Sequence, residues 1–566
     1  MSEVKETKAQ RVERLKREKN AWDHLDEIRE FARNGHDSIP PEWLGTYFRS
    51  WGIYTQGDGV GVVGGKNGEG RAVPYFMMRI RIPNGLLTSE QTRMIADLSA
   101  EHGNGLADLT TRQNVQLHWL KIQSIPEVLD RLAKVGLNTT GACGDVVRNI
   151  TGCPIAGFDS RELADVSPLV VALDKELGGN PAFYNLPRKF KITATACPDW
   201  CSYPEINDIG FTATRRLREG REEIGFSVRV GGGLSTEPHL AVRLNAFVRW
   251  EQLIPVARAI AELFRQSDVL RQSRDKARLK FLFLEHGWTG ESFLAAIESI
   301  LGYTLDPAEP EVLPSHAHRD HLGVRPQKQT GLYTVGASVV RGRITPAQLR
   351  VAANLAERYG DGHLRATLMQ NLLLVNIPEA QVQQVADELT LAGLPVNSSA
   401  FVRGTVACTG SEFCKLALTE TKSFARWVTE ELEEQFPNYE GYLKLHITGC
   451  PNSCGQHWIA DIGIEGKKIK HEGKMVDAYY FCVGGGVGKL SAIARPVGYR
   501  CRAEEVPESI TRVLQVFEEE GRPGDTLQEF FARRSNEEIR ELLAGGAPVF
   551  ALRDVPDGRI PHGIEG

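Results

Sequence analysis

The stretch Lys191-Ile-Thr-Ala-Thr-Ala-Cys197-Pro198-Asp-Trp-Cys201 returns 253 residues later as Lys444-Leu-His-Ile-Thr-Gly-Cys450-Pro451-Asn-Ser-Cys454. The same offset carries Asp208-Ile209-Gly210 onto Asp461-Ile462-Gly463 and Gly231-Gly232-Gly233 onto Gly484-Gly485-Gly486, while Cys153 stands opposite Cys408 at 255. Upstream, Thr88 and Gln91 match Thr345 and Gln348, Gly103 and Gly105 match Gly360 and Gly362, and Gln113-Asn114 match Gln370-Asn371, all at 257. Marks that stay in order over this length indicate an internal duplication. Between them each copy reads as an apolar strand (75–82; 332–340) and a helix with apolar residues at Ile95 and Leu98, or at Leu349, Ala352 and Leu355. A second strand (115–122; 372–377) and a second helix follow. Each copy is thus half of a ferredoxin-like α+β sandwich, and the two halves can pair across a pseudo-twofold axis.

The chain of 566 residues leaves room for roughly four domains at ~150 residues each. Hydrophobic residues at 42% and charged residues at 25% are ordinary for a globular protein. A formal charge of −5 advertises no nucleic-acid partner, and no apolar run is long enough to span a membrane. The first residues lack the apolar core of a signal peptide. Ten cysteines are too few for a disulfide scaffold, so a reducing, cytoplasmic setting is expected, with the thiols free for metal or redox work. Residues 1–35 read as helical, with the charge run 5–19 as a solvated arm. A glycine-rich loop follows at 57–70; its Gly59-x-Gly61-x-x-Gly64 lacks the helix that a dinucleotide site needs. Gly484 to Leu490 likewise imitates a phosphate loop without its Ser/Thr. The organisation read is 1–74 arm and loop, 75–140 first half-domain, 141–312 first module, 313–398 second half-domain, and 399–566 second module, whose tail is helical from about 504 to 544.

Cys408-x5-Cys414 and Cys450-x3-Cys454 place four soft ligands close together in the second module. Four thiolates suit a tetrahedral zinc or an iron–sulfur cubane. Structural zinc favours tighter knuckles on both arms, so the x5 spacing points to the larger cluster, with zinc and four unrelated buried thiols as the alternatives. The first half keeps Cys153, Cys197 and Cys201 but has Asp159 opposite Cys414. One ligand short, these three read as buried thiols left from a symmetric ancestor. Cys143, Cys482 and Cys501 read as small core residues. His316, His318 and His321 lie between Pro314 and Asp320 or beside it, and read as a surface loop.

Basic residues gather at strand ends of the first half. Arg79-Ile80-Arg81 alternates, so the two guanidinium groups face opposite sides of a strand and only one need face a cavity. Arg112 precedes Gln113-Asn114, and Arg148 stands at a strand entry. Lys189-Phe190-Lys191 puts two ammonium groups on one face while Phe190 and Ile192 bury the other. Cations converging on one pocket bind an oxyanion or the carboxylates of a polyanionic cofactor.

Through Tyr75-Phe-Met-Met-Arg79-Ile-Arg81, Thr111-Arg112-Gln113-Asn114, Leu186-Pro187-Arg188-Lys189-Phe190-Lys191, Cys408-Thr-Gly-Ser-Glu-Phe-Cys414 and Gly449-Cys450-Pro-Asn-Ser-Cys454, the sequence resembles the siroheme-dependent nitrite/sulfite reductase family. The likeness runs over about residues 40–490 and departs from the family's pattern at 195–202. It implies an α+β, internally duplicated fold of ferredoxin-like half-domains plus two siroheme/Fe–S-binding modules related by a pseudo-twofold. It implies a [4Fe–4S] cluster on Cys408, Cys414, Cys450 and Cys454, with Cys454 also an axial ligand of the siroheme iron. Arg81, Arg148, Lys189 and Lys191 are then expected around the substrate anion, and Arg112, Gln116, His118 and Arg188 around the macrocycle. Because Lys191 occupies a position often held by asparagine in nitrite-reducing members, six-electron reduction of sulfite to sulfide is the leading expectation. Reduction of nitrite to ammonia is the first alternative, and a non-catalytic iron–sulfur or zinc protein the second. No flavin or nicotinamide module is evident, so ferredoxin is the expected donor. The chain is expected to act as a monomer, with neither nucleic acid nor membrane as partner.

Overall fold

The computed structural model describes residues 6–59, 71–315 and 319–546. The glycine-rich stretch from 60 to 70, and with it most of the Gly59-x-Gly61-x-x-Gly64 pattern, lies outside the described residues, as do His316 and His318. In chain order the strands are β1 (Ile53–Gly57), β2 (Ala72–Ile80), β3 (Leu86–Thr88), β4 (Ala107–Leu109) and β5 (Val115–Leu120). There follow β6 (Thr151–Gly152), β7 (Ile192–Thr195), β8 (Ile209–Arg218), β9 (Arg221–Val230) and β10 (Val242–Arg249). The second copy repeats the series as β11 (Gly323–Pro326), β12 (Leu332–Ala337), β13 (Arg343–Ile344), β14 (His363–Ala366) and β15 (Leu372–Pro378), then β16 (Thr405–Ala407), β17 (Leu445–Thr448), β18 (Ile462–His471), β19 (Lys474–Val483) and β20 (Arg495–Arg502).

These twenty strands form four five-stranded sheets in two matching pairs. The half-domain sheets run β1-β2-β5-β4-β13 and β11-β12-β15-β14-β3. Each half therefore lends one short strand to the other: Arg343 pairs with Asp108, and Thr88 with His363. The module sheets run β10-β9-β8-β7-β6 and β16-β17-β18-β19-β20. In each, the three strands nearest the cysteines are parallel and the rest antiparallel.

Local chemistry is duplicated with the fold. Thr88 and Thr345 both cap helices by a capping box with Gln91 and Gln348, and both glutamines donate onward, to Val135 O at 3.0 Å and Ala392 O at 3.2 Å. The helices they start, Ser89–His102 and Pro346–Tyr359, share one hydrophobic core that runs from Ile95 and Leu98 through Leu349 and Leu355. Gly85 and Gly342 hold φ of +67° and +69° where a side chain at Gly85 would meet Ala366 O at 2.3 Å and one at Gly342 would meet Leu109 O at 2.9 Å.

Two buried amides cross between the copies. Gln113 Nε2 donates to Asn84 O at 3.1 Å and to Ala366 O of the other half at 3.0 Å, while its Oε1 accepts from Gly152 N at 3.1 Å. Gln370 Nε2 donates to Leu109 O and to Ala407 O, both at 3.0 Å, and its Oε1 accepts from Ala407 N at 3.1 Å. Both residues sit in left-handed backbone, at φ +58° and +61°.

The N-terminal charge run differs from the solvated arm expected. Glu13 and Lys16 of helix Lys8–Glu18 are buried: Lys16 Nζ donates to Leu186 O at 2.8 Å and lies 3.4 Å from Asp145, and Glu13 pairs with Arg271 at 2.6 Å. Alternating signs let one face of the helix dock through buried ion pairs. The edge strands β1 and β11 also went unread, the second because its run Gly-Val-Arg-Pro is short and ends in proline.

Gln370→Leu strands Leu109 O and the Ala407 peptide in a dry interface. It should cost about 2–4 kcal/mol of unfolding free energy, read by urea denaturation, whereas a change under about 0.5 kcal/mol would refute the crossing role.

Candidate functional site

Parallel pairing of β16 with β17 brings the ends of both strands to one level, and all four cysteines of the second module lie in the loops leaving them. Cys408 follows β16 directly, and Cys414 closes the turn after it. Cys450 and Cys454 follow β17. Gly449 N–H donates to Cys408 Sγ at 3.2 Å, Asn452 Nδ2 donates to Cys450 Sγ at 3.6 Å, and Thr421 Oγ1 donates to Cys408 O at 2.6 Å. The Gly449 and Asn452 donors suit sulfur that carries negative charge. Burial pushes the thiols of Cys408, Cys414 and Cys450 up, Cys414 to about 12, and the charge of Cys454 adds to each. A bound cationic centre reverses that balance by deprotonating its thiols. Among the described residues, no three of the four sulfurs lie within 4.8 Å of one another, a spread wider than ligands around one ion. Cys450 is buried, Cys408 and Cys414 are half-buried, and Cys454 is exposed.

Cations face that open sulfur. Lys189 and Lys191 stand just before β7, half-buried, with Phe190 and Ile192 fully buried beneath them. Desolvation, with Arg278 next, pushes Lys189 down to about 7, while the charge of Cys454 acts on it in the opposite sense. Desolvation lowers Lys191 too, aided by Arg112 and Lys189. Arg148 donates to Gly144 O at 2.9 and 2.7 Å and to Ala142 O at 3.3 Å. Arg79 donates to Ala142 O at 3.4 Å and to Cys143 Sγ at 3.0 Å, and its buried Nε has no partner. Burial works against the Arg79 charge, but its titratable neighbours, Cys143 first, outweigh it and hold the guanidinium above its usual range. Among the described residues, no carboxylate forms an ion pair with Arg79, Arg148, Lys189 or Lys191. Basic groups left without carboxylate partners in desolvated surroundings are ones whose charge an anionic guest would stabilise.

Arg81, expected among these, is elsewhere. It is 2% exposed, its Nε donates to Asp174 Oδ1 at 2.9 Å, and it also binds Thr140 O and Val147 O. The alternation noted in the sequence was right, but it turns Arg79 toward the cysteines and Arg81 into an ion pair. Gln116 registers directly beside Arg79 on β5 and lies 3.5 Å from Thr409 Oγ1 of the cysteine loop. His118, two residues on, is fully buried. Its Nε2 lies 2.9 Å from Asp108 Oδ2 and its ring stacks on Phe413 at 4.0 Å. His118 therefore props the loop between Cys408 and Cys414 instead of lining the open space. Arg112 binds Asn207 Oδ1 at 2.8 Å and Asn149 O at 2.6 Å, its Nε stays unpartnered, and burial with Arg148 lowers it to about 9. Arg188 is one-third exposed and 3.6 Å from Asp145. Cys143 is not only a core filler, since it accepts from Arg79, whereas Cys482 and Cys501 are buried in hydrophobic clusters as expected.

The family model described as "Nitrite and sulphite reductase 4Fe-4S domain" matches residues 143–304 and 398–547, and the "Nitrite/Sulfite reductase ferredoxin-like half domain" matches 69–135 and 325–392. The chain belongs to the nitrite and sulphite reductase family. It is an oxidoreductase with an iron–sulfur domain and the duplicated α+β architecture expected. It is 36% identical to the "Assimilatory ferredoxin-dependent nitrite reductase" of Haloferax mediterranei over 548 residues, covering 91% of this chain and 90% of that one. It is 35% identical to "Sulfite reductase [ferredoxin] 1" of Mycolicibacterium paratuberculosis over 523 residues, covering 91% and 92%. The solved structure of Mycobacterium tuberculosis NirA protein superposes with a TM-score of 0.88 at 33% identity, covering 95% of this chain and 98% of that one. Among the described residues, no helix is long and apolar enough to cross a membrane.

The separate roles of the two alternating arginines can be measured. Arg81→Met strands Asp174 and should lower unfolding free energy by about 2–4 kcal/mol, whereas Arg79→Met strands no carboxylate and should cost under about 1 kcal/mol in chemical denaturation. Equal losses would contradict the assignment.

Proposed function

We propose that the chain reduces sulfite to sulfide with six electrons from ferredoxin, using siroheme and a [4Fe–4S] cluster. The observation that carries this reading is the set of basic groups without carboxylate partners: Arg79 and Lys189, both within electrostatic reach of the exposed Cys454, with Arg148 and Lys191 close to Lys189. Cys408, Cys414, Cys450 and Cys454 would hold the cluster, and Cys454, the open member of the set, would be shared with the siroheme iron. Arg112, with its unpartnered Nε, Gln116 and Arg188 are the groups available to the macrocycle's edge. When bound, the paired cofactors store and deliver the electrons.

The protein's own part is charge and protons. The Arg79 and Arg148 guanidinium groups would neutralise the bound anion. Lys189, at about 7, exchanges its proton near neutrality, the range in which a general acid is most effective. Reduction to sulfide consumes protons as each oxygen leaves as water, so a lysine that recharges readily suits the task better than a third arginine. Lys191 adds an ammonium group that favours an anion able to carry two charges. Nitrite reduction to ammonia at the same site is the second reading, favoured by the Haloferax relative's name. A cluster carrier has no use for these cations, which argues against the non-catalytic reading. The chain is further read as monomeric.

Purified protein should show a Soret band and a Q-like band. With a reduced low-potential donor, kcat/KM for sulfite should exceed that for nitrite. Lys191→Asn should shift this ratio toward nitrite by about tenfold or more, the worth of one charged hydrogen bond; an unmoved ratio removes Lys191 from substrate choice. Cys454→Ser should abolish turnover while most iron remains, and a colourless protein would reject the siroheme reading altogether.

A further inference from the structure

The first module holds a second convergence of ligands. Cys153, Cys197, Cys201 and His321 are 1%, 3%, 1% and 3% exposed. The sulfurs of Cys153 and Cys201 and a ring nitrogen of His321 all lie within 4.8 Å of one another. Cys197 Sγ is 3.3 Å from Cys201 Sγ and 3.2 Å from Thr195 Oγ1. Cys153 follows β6, Cys197 and Cys201 form a knuckle after β7, and His321 arrives from the segment joining the two copies, just ahead of β11. The reading of His321 as a surface residue is thereby overturned, as is that of three leftover thiols lacking a fourth ligand. Asp159, which stands opposite Cys414, is taken up by Arg161 at 3.0 Å. The chain meets the deficit from the linker, too far away in sequence for spacing to reveal.

Two features mark this cluster as built to hold something. His321 Nε2 is buried without a hydrogen-bond partner, an arrangement native proteins avoid unless a ligand completes it. His321 and Trp200, the residue before Cys201, also sit at φ +58° and +48°, left-handed conformations that cost energy and persist where surrounding structure enforces them. The segment is pinned in place: Arg319 Nε donates to Asp199 O within the knuckle at 2.5 Å, and Asp320 accepts from Arg403 at 3.0 and 3.1 Å.

We propose that Cys153, Cys197, Cys201 and His321 hold a single zinc ion in a closed tetrahedral site. Cys3His is a standard donor set for structural zinc, and Cys197-x3-Cys201 has its knuckle spacing. Ligand atoms around one zinc at ≈ 2.0–2.3 Å lie about 3.5–3.8 Å apart; Cys153, Cys201 and His321 already lie within 4.8 Å of one another, while Cys197, 3.3 Å from Cys201, stands outside that group and would close in as the fourth ligand. The wider sulfur set of the second module does not meet that condition. The Cys197–Cys201 separation exceeds the ≈ 2.03–2.05 Å of a disulfide. Arg319 and Arg325 lie close enough to act on Cys201 and His321, offsetting the net negative charge of three thiolates around one dication. The ion would staple the linker between the copies to the first module. It takes no part in turnover.

Elemental analysis of the holoprotein, grown with zinc and purified without chelators, should give about one zinc per chain in addition to iron. Zinc-edge absorption should show about three sulfurs at ≈ 2.3 Å and one nitrogen at ≈ 2.0–2.1 Å. His321→Ala should lower zinc at least tenfold with iron and visible spectrum unchanged. His321→Cys should retain the zinc, which keeps the test decisive if the alanine variant folds poorly. Absence of zinc from protein with its full iron complement, extra iron bound to these residues, or a Cys197–Cys201 disulfide in the native chain would each overturn the proposal.

Discussion

Two side-chain amides, Gln113 and Gln370, hold the molecule in register. Each is buried at the junction of four segments, donates across the pseudo-twofold to the other half-domain, and accepts one peptide N–H of a module. That peptide is Gly152 in one copy and Ala407 in the other, in each case the residue before a cysteine. The half-domains thus fix the entry points of both thiol sets, Cys153 and Cys408. Because every polar atom of each amide except a lone pair is used, displacement would leave several buried groups unpaired at once. A shared core and exchanged edge strands supply the bulk of cohesion; the amides supply position.

Charge distribution separates what binds from what braces. Arg278 pairs with Asp208 at 2.8 Å, Arg343 with Asp108 at 3.0 Å and Lys444 with Asp461 at 3.1 Å, and Arg81 pairs with Asp174. All of these are buried cations with built-in counter-charges. The comparison between copies shows how others were released. Lys191 corresponds to Lys444, and both donate their backbone N–H to the matching aspartate, at 2.8 and 2.9 Å. In the second copy the ammonium group also takes that aspartate. In the first, Arg278 occupies Asp208, so the Lys191 side chain is left without a carboxylate partner.

Much of this was legible in the sequence, and the limits are physical. Constant offsets revealed the duplication because the tight backbone positions, Gln113 and Gln370 among them, tolerate few alternatives. Alternation in 79–81 guaranteed opposite faces for two arginines but could not say which face held the cysteines, since that depends on the register of β2 against β5. The exchange of β3 and β13 is invisible because strands of two or three residues carry no periodicity. His118 was expected around the macrocycle only through the family resemblance; its burial against Phe413 follows from a loop hundreds of residues away. His321 illustrates the same gap most sharply, a ligand supplied by a connector whose neighbours in sequence are polar.

The two thiol sets show what duplication permits. In the second copy, Cys414 on its wide loop spreads the ligands, and Cys454 at the end of the set stays exposed beside the cations, an open arrangement suited to chemistry. In the first copy, Trp200 stands where Ser453 stands in the second, 5% exposed beneath the Arg229 guanidinium at 4.3 Å, and Cys201, the counterpart of Cys454, is buried. Closure on all sides distinguishes structural metal sites from catalytic ones, which keep a position free. The same β-strand ends and the same Cys-Pro turns therefore serve opposite ends, and the difference lies in whether the last ligand of the set is covered. One copy could surrender its open face because the other kept it, and the space between them needs only one reactive sulfur.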